Sequence, residues 1–321
     1  MSDCSKPILD AFSDAVEQCK NYRRYLPQPK DRLYKYGSES MLWRTLGLGN
    51  ERPKSRPERS TQVSEANARY PLSLTDYAGM NDPNEGHQLR QYVDHLRADG
   101  EYPYFKLRTI SRHFLHHDQQ SEEGQRHLKA ADEKTMFLSC FSLAQNSLDL
   151  WRLYGDDGRG VAFVLDPNAL KEEHKLNLYR VGYMEQDIVN ALDNISQPAA
   201  LLLAADGKDK LLSIHASNLR GAHAELRYLF KGAAYLVEKE VRYLKSLPLS
   251  GDSDGKTNWF LDPQSKQTKL TTPVDDFFNI STLKEVIVGP SSSLRVEIVQ
   301  LALNYANLTG VKVHRASHPY R

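Results

Sequence analysis

The 321-residue chain carries 42 Lys and Arg against 41 Asp and Glu, and 40% of it is hydrophobic. That suffices for a sizeable core, and the near-zero balance excludes a whole-molecule field drawing the chain to nucleic acid or an anionic membrane. Three cysteines, Cys4, Cys19 and Cys140, without CxxC spacing exclude a disulfide framework or zinc ribbon and fit a reducing cytoplasm.

In chain order, Ile8, Leu9, Phe12, Val16 and Cys19 recur at helical spacing, so a helical extension is predicted over residues 1–32. Its start lacks the pattern of a secretory signal. A cytoplasmic protein is expected, or one delivered into a target cell. One domain is predicted over 33–321, with insertions near 50–70 and 168–230. A short strand, Leu33 to Tyr36, runs into a Ser-started helix. From Lys20 to Ser60 eleven Lys or Arg meet four acids, a local basic excess that a nucleic acid can read. Residues 50–69 read as a polar loop, and NDPNE, Asn81 to Glu85, as an Asx turn opening a helix. Residues 105–132 read as a polar helix.

Two strands are predicted between Phe137 and Asp166, around CFSLAQNSLDLWRLYGDDGRGVAFVLD. Trp151 and Tyr154, three residues apart, are neighbours on a helical turn and either sandwich a flat ring or staple a hairpin to the core. The glycines of GDDGRG suit a phosphate or a tight turn alike. Helical periodicity returns from about Ile188 to Lys231; its apolar run PAALLLAA is too short to span a bilayer, and no membrane is expected. AAYLVEKEVRYLKS reads as a strand with Glu238, Glu240 and Arg242 on one face and Val237, Val241 and Tyr243 in the core. Two carboxylates and a guanidinium then meet on one surface, either tuning one another or merely solvating it. The tail reads as strand, helix, strand, with serines of GPSSS as caps and Gly310 as helix end.

The remaining chemistry-bearing patterns are thin. His113 and His117 stand at metal-ligating i, i+4 spacing without HExxH, which reads as a solvated face. Asp82, Glu85, Asp156 and Asp157 are candidate oxygen ligands for a divalent ion, the basis of an alternative reading as a metal-dependent nuclease or phosphoesterase toxin. A non-catalytic nucleotide-binding module is the other alternative.

The order LYKYGS, NDPNEG, CFS with WRLYGDDGRGVAFVLD, FKGAAYLVEKEVR and LKEVIVGP resembles a bacterial domain-of-unknown-function family, from about Leu33 to Pro290. That family is in turn similar to the ADP-ribosyltransferase superfamily. The resemblance implies an α+β fold whose split antiparallel β-sheets form a cleft surrounded by helical insertions. It implies NAD as substrate with no metal, and transfer of ADP-ribose to a macromolecular acceptor. That acceptor would be a protein, or RNA or DNA reached through the basic 20–60 region. It further implies a toxin or effector of antiviral defence, with an antitoxin or chaperone as partner. Carried over by position, Glu240 would stabilise an oxocarbenium-like ribose and Glu238 would serve the acceptor nucleophile. Lys35, Tyr36, Asn81, Ser142, Trp151, Tyr154 and Arg242 would surround the NAD.

Overall fold

Five consecutive apolar residues, VAFVL, form β4 (Val161–Leu165), buried at every position, as a strand covered on both faces must be. It pairs antiparallel with β1 (Leu33–Gly37) and β9 (Leu283–Val288). Because successive side chains alternate, one face of these three strands carries Leu33, Val161, Phe163, Leu165, Val286 and Val288 into the main core. The other carries Tyr34, Ala162, Val164 and Ile287 onto Trp151. The computed structural model describes residues 5–48, 70–76, 86, 88–89, 91, 134–191, 193, 226–248, 257–261 and 268–317.

The remaining strands are β2 (Tyr70–Asp76), β3 (Lys134–Ser142), β5 (Leu178–Arg180), β6 (Glu240–Pro248), β7 (Asn258–Leu261), β8 (Thr268–Phe278) and β10 (Lys312–Arg315). All ten belong to one mixed sheet, ordered β10-β9-β4-β1-β3-β2-β8-β7, with β6 on β3 and β5 on β6. Every pair is antiparallel except β9 with β10. Among the described residues the helices are α1 (Ser5–Arg23), α2 (Glu39–Thr45), α3 (Leu148–Leu153), α4 (Pro167–His174) and α5 (Val296–Tyr305), and residues 88–89, 91 and 185–191 are also helical. The class is α+β.

The sheet forks at β3. Along its whole length β3 pairs with β6, from Lys134 against Pro248 to Ser142 against Glu240. Its other edge is shared: β2 takes Leu138 and Phe137, while β1 touches only Ser142, through Tyr34. Beyond that single pair β1 diverges. In the gap the Lys35 ammonium donates to Ser139 Oγ at 2.8 Å and to the Cys140 carbonyl at 3.4 Å, supplying a donor where the ladder has parted.

Within residues 168–230, expected as an insertion, β5 pairs with β6 of the sheet. The first helix packs against the fold. Cys19 of α1 is buried with Tyr179, Ile188 and Phe230, and the Tyr25 N–H after α1 donates to the Leu178 carbonyl at 2.8 Å. The strand, helix, strand tail is present as β9, α5 and β10, but its serines do not cap α5. Arg295 is the N-cap and makes no side-chain cap bond. The left-handed residue after the helix is Asn307, at φ 57°, because helix-ending φ is also open to asparagine. NDPNE with Asn81, the 50–69 loop, the 105–132 helix and the histidines of HFLHH lie outside the described residues. Among the described residues no helix is long and apolar enough to cross a membrane.

Candidate functional site

The segment read as one strand, AAYLVEKEVR, is two structures. Ala233–Glu238 winds as a 3₁₀ helix, Lys239 takes a left-handed φ of 44°, and β6 begins only at Glu240. Val237, expected in the core, is therefore exposed, while Val241 is fully buried. Strand alternation holds from Glu240 onward, with Glu240 and Arg242 on one face and Val241 and Tyr243 toward the core. Glu238 reaches the same place by a turn.

Both glutamates are buried, 3% and 5% exposed. Buried carboxylates require partners, and here the partners interlock. Lys231 Nζ lies 2.7 Å from Glu238 Oε2 and 3.4 Å from Glu240 Oε2, with its ammonium 4.5 Å from the Tyr235 ring centroid. The fully buried Arg242 grips Glu240 with two nitrogens, at 2.8 and 3.0 Å, and donates to the Tyr228 carbonyl at 2.6 Å. The Glu240 N–H donates to Tyr183 Oη at 2.8 Å. Two acids and two bases thus balance in formal charge. Lys231 is a residue that the sequence does not single out; its signal is a lone lysine seven residues before Glu238, uninformative until the 3₁₀ turn folds the two together.

The carboxyls are pushed apart. Burial raises Glu238 above the ordinary glutamate value, despite the Lys231 and Tyr154 hydrogen bonds. Burial opposes ionisation of Glu240 too, yet Arg242 and Lys231 overcome it and hold that carboxyl at about 2. One group is permanently anionic and its neighbour is readier to exchange a proton. Burial lowers Lys35, against the pull of Cys140 and Glu240.

Tyr154 is the C-cap of α3, and its hydroxyl donates to Glu238 Oε1 at 2.6 Å while the residue stays 37% exposed. Trp151 goes elsewhere. It is 0% exposed, donates Nε1–H to Asn146 Oδ1 at 3.1 Å, and meets Tyr36 edge-on at 5.0 Å, so it is a wall residue with no ring face open to a ligand. Tyr36 is tied as well: its hydroxyl donates to the Ala144 carbonyl at 3.0 Å and accepts from the Ser147 N–H at 3.2 Å. Ser142 Oγ donates to the Glu238 carbonyl at 2.5 Å and accepts from the Ala144 N–H at 2.9 Å. Its hydroxyl positions Glu238 rather than standing free.

The glycine loop is a turn packed against the sheet. Asp156, Asp157 and Gly158 have positive φ. The N–H groups of Gly155, Gly158 and Gly160 donate to carbonyls within the α3-loop unit, as in a tight turn. Among the described residues no group of three or more His, Cys, Asp or Glu is placed to hold a metal ion.

A cleft of about 400 Å³ opens beside the fork, its lining including Lys30, Arg32, Tyr34, Gln145, Arg180 and Glu285. Lys30 and Arg32 come from the basic 20–60 segment. The carboxylates do not line this cleft, but Tyr34 is the residue of β1 paired with Ser142.

Residues 150–243 match the family model DUF2971, a protein of unknown function. Tyr154, Tyr183, Lys231, Glu238, Glu240 and Arg242 all fall inside that span, whereas Lys35, Tyr36 and Ser142 precede it. No curated protein and no solved structure matches the chain.

Proposed function

We propose that the chain is an NAD-dependent ADP-ribosyltransferase acting on a macromolecular acceptor. The observation that carries this reading is the buried glutamate pair with divergent proton affinities, beside the fork of the sheet. Breaking the nicotinamide–ribose bond develops positive charge on the ribose, and a fixed, ionised Glu240 offers the preorganised negative charge such a transition state needs. Glu238, readier to take a proton, suits the nucleophile. Arg242 and Lys231 keep Glu240 charged, and Ser142 fixes the backbone of Glu238. The forked β3 edge agrees with a split-sheet cleft, and Lys30, Arg32 and Arg180, set against Asp31 and Glu285 in the lining of the adjoining cleft, suit a diphosphate or a nucleic-acid acceptor. A role as a toxin or defence effector, with an antitoxin or chaperone, rests on the resemblance alone.

The test is nicotinamide release from NAD by the purified chain with a cell lysate, beside Glu240→Gln shown by circular dichroism to be folded. The variant should lose on the order of a hundredfold in rate. Equal release by both proteins, or none by either, would overturn the reading.

A further inference from the structure

We infer that Tyr154 is a site of self-modification, at which the chain accepts ADP-ribose on its own phenolic oxygen; this rests on the transferase reading above. Glu238 has two carboxylate oxygens, and the structure commits them differently. Oε2 is held by Lys231 at 2.7 Å, while Oε1 receives the Tyr154 hydroxyl at 2.6 Å. The oxygen available to take a proton is therefore already bonded to a hydroxyl, within the reach a general base requires. That hydroxyl belongs to a residue 37% exposed at the end of a short helix; burial and the Glu238 bond raise its hold on the proton, which makes the adjoining base necessary.

The other nucleophiles near the pair are differently placed; the half-buried Cys140 thiol hydrogen-bonds Glu240 rather than Glu238. Tyr183 and Tyr228 are buried, and Tyr183 Oη accepts the Glu240 N–H. Lys231 is buried, and its proton affinity is raised by the two glutamates after burial has opposed it, so it stays a protonated ammonium with no lone pair. Ser142 donates its proton to the Glu238 carbonyl.

The step balances without a further reactant than NAD. The bond between ribose C1″ and the nicotinamide nitrogen breaks, and its electron pair leaves with nicotinamide as the neutral base. A bond forms between C1″ and Tyr154 Oη. The phenolic proton passes to Glu238 Oε1.

The experiment incubates the full chain with NAD alone and measures nicotinamide release and modification in parallel. Trypsin cuts after Arg152 and Arg159, isolating Leu153–Arg159, whose candidate acceptors are Tyr154, Asp156 and Asp157. The expected result is a one-ADP-ribose mass increment on that peptide, retained after hydroxylamine, because a phenolic glycoside survives where an aspartyl ester is cleaved. It should vanish in Tyr154→Phe and in folded Glu238→Gln. Nicotinamide release with the peptide unmodified, or with a hydroxylamine-labile mark, overturns this inference and leaves the transferase reading standing. No release with or without lysate overturns both.

Discussion

At the scale of single residues, Lys231 has the largest predicted effect. Its ammonium separates two buried carboxylates, so Lys231→Met leaves those charges with one cation fewer, a change that costs about 3–5 kcal/mol in buried pairs. The loss depends on pH with a definite sign. Glu238 is a carboxyl whose folded proton affinity is raised, so its contribution is present below the unfolded value of 4.5 and is lost as pH rises through the folded value. Removing Lys231 raises that affinity further. The urea midpoint of Lys231→Met should therefore fall well below that of the parent at about pH 7 and approach it near pH 4.5. An equal deficit at both pH values would show that the lysine acts through packing alone. Glu240 has the opposite linkage: held at about 2, it stabilises the fold above 4.5, and that contribution disappears as pH falls through 2.

At the scale of elements, the glycine loop allows a prediction of both signs. A Cβ on Gly160 would sit 2.0 Å from the Gly37 carbonyl oxygen, and backbone cannot swing aside as a flexible side chain does. Gly160→Ala should lower stability by about 1–3 kcal/mol. A Cβ on Gly310 would meet no described atom within 4 Å, so Gly310→Ala should be neutral or stabilise by up to about 1 kcal/mol through the unfolded chain. Urea denaturation of the two variants decides it; a Gly160→Ala as stable as Gly310→Ala would mean that the loop does not hold β1 at that distance. The same loop marks where sequence reading stops. VAFVL and the strand, helix, strand tail are legible because their periodicity is local. GDDGRG is legible only in part: Trp151, four residues back, requires Gly155 and a φ of 77° suits Gly158, but what requires Gly160 is the Gly37 carbonyl, far off in the chain. In EKEVR the alternating charges are legible but the strand start is not, since a left-handed Lys239 after a 3₁₀ turn delivers Glu238 to the same place as a strand would. Trp151 and Tyr154 cannot be separated by spacing, because a single helical turn sends one into the wall and the other to Glu238.

At the scale of the whole molecule, the fork of β3 is not legible in the sequence, because strand order is a property of long-range pairing that no local pattern carries. What the whole fold imposes chemically is visible in its tyrosines. Tyr25, Tyr34, Tyr36, Tyr154, Tyr183 and Tyr243 all resist ionisation above the ordinary value of 10, burial being the leading cause in each, and Tyr36 is pushed up to about 12. Lys231 is raised as well, while Lys35 is lowered and works the other way. For a raised group, the stabilisation is fully present below the unfolded value and is lost as pH rises through the folded one. Six such phenols contributed by β1, β5's flanks, α3's end and β6 should make the fold fail cooperatively above pH 10. Tyrosinate absorbance and far-ultraviolet circular dichroism, followed together through an alkaline titration, should then show the last part of the tyrosinate rise coincide with the loss of dichroism, these six being part of 17 tyrosines. Complete ionisation of the tyrosines near pH 10 in a chain that keeps its dichroism would mean that these hydroxyls are not held by the fold, Tyr154 on Glu238 among them.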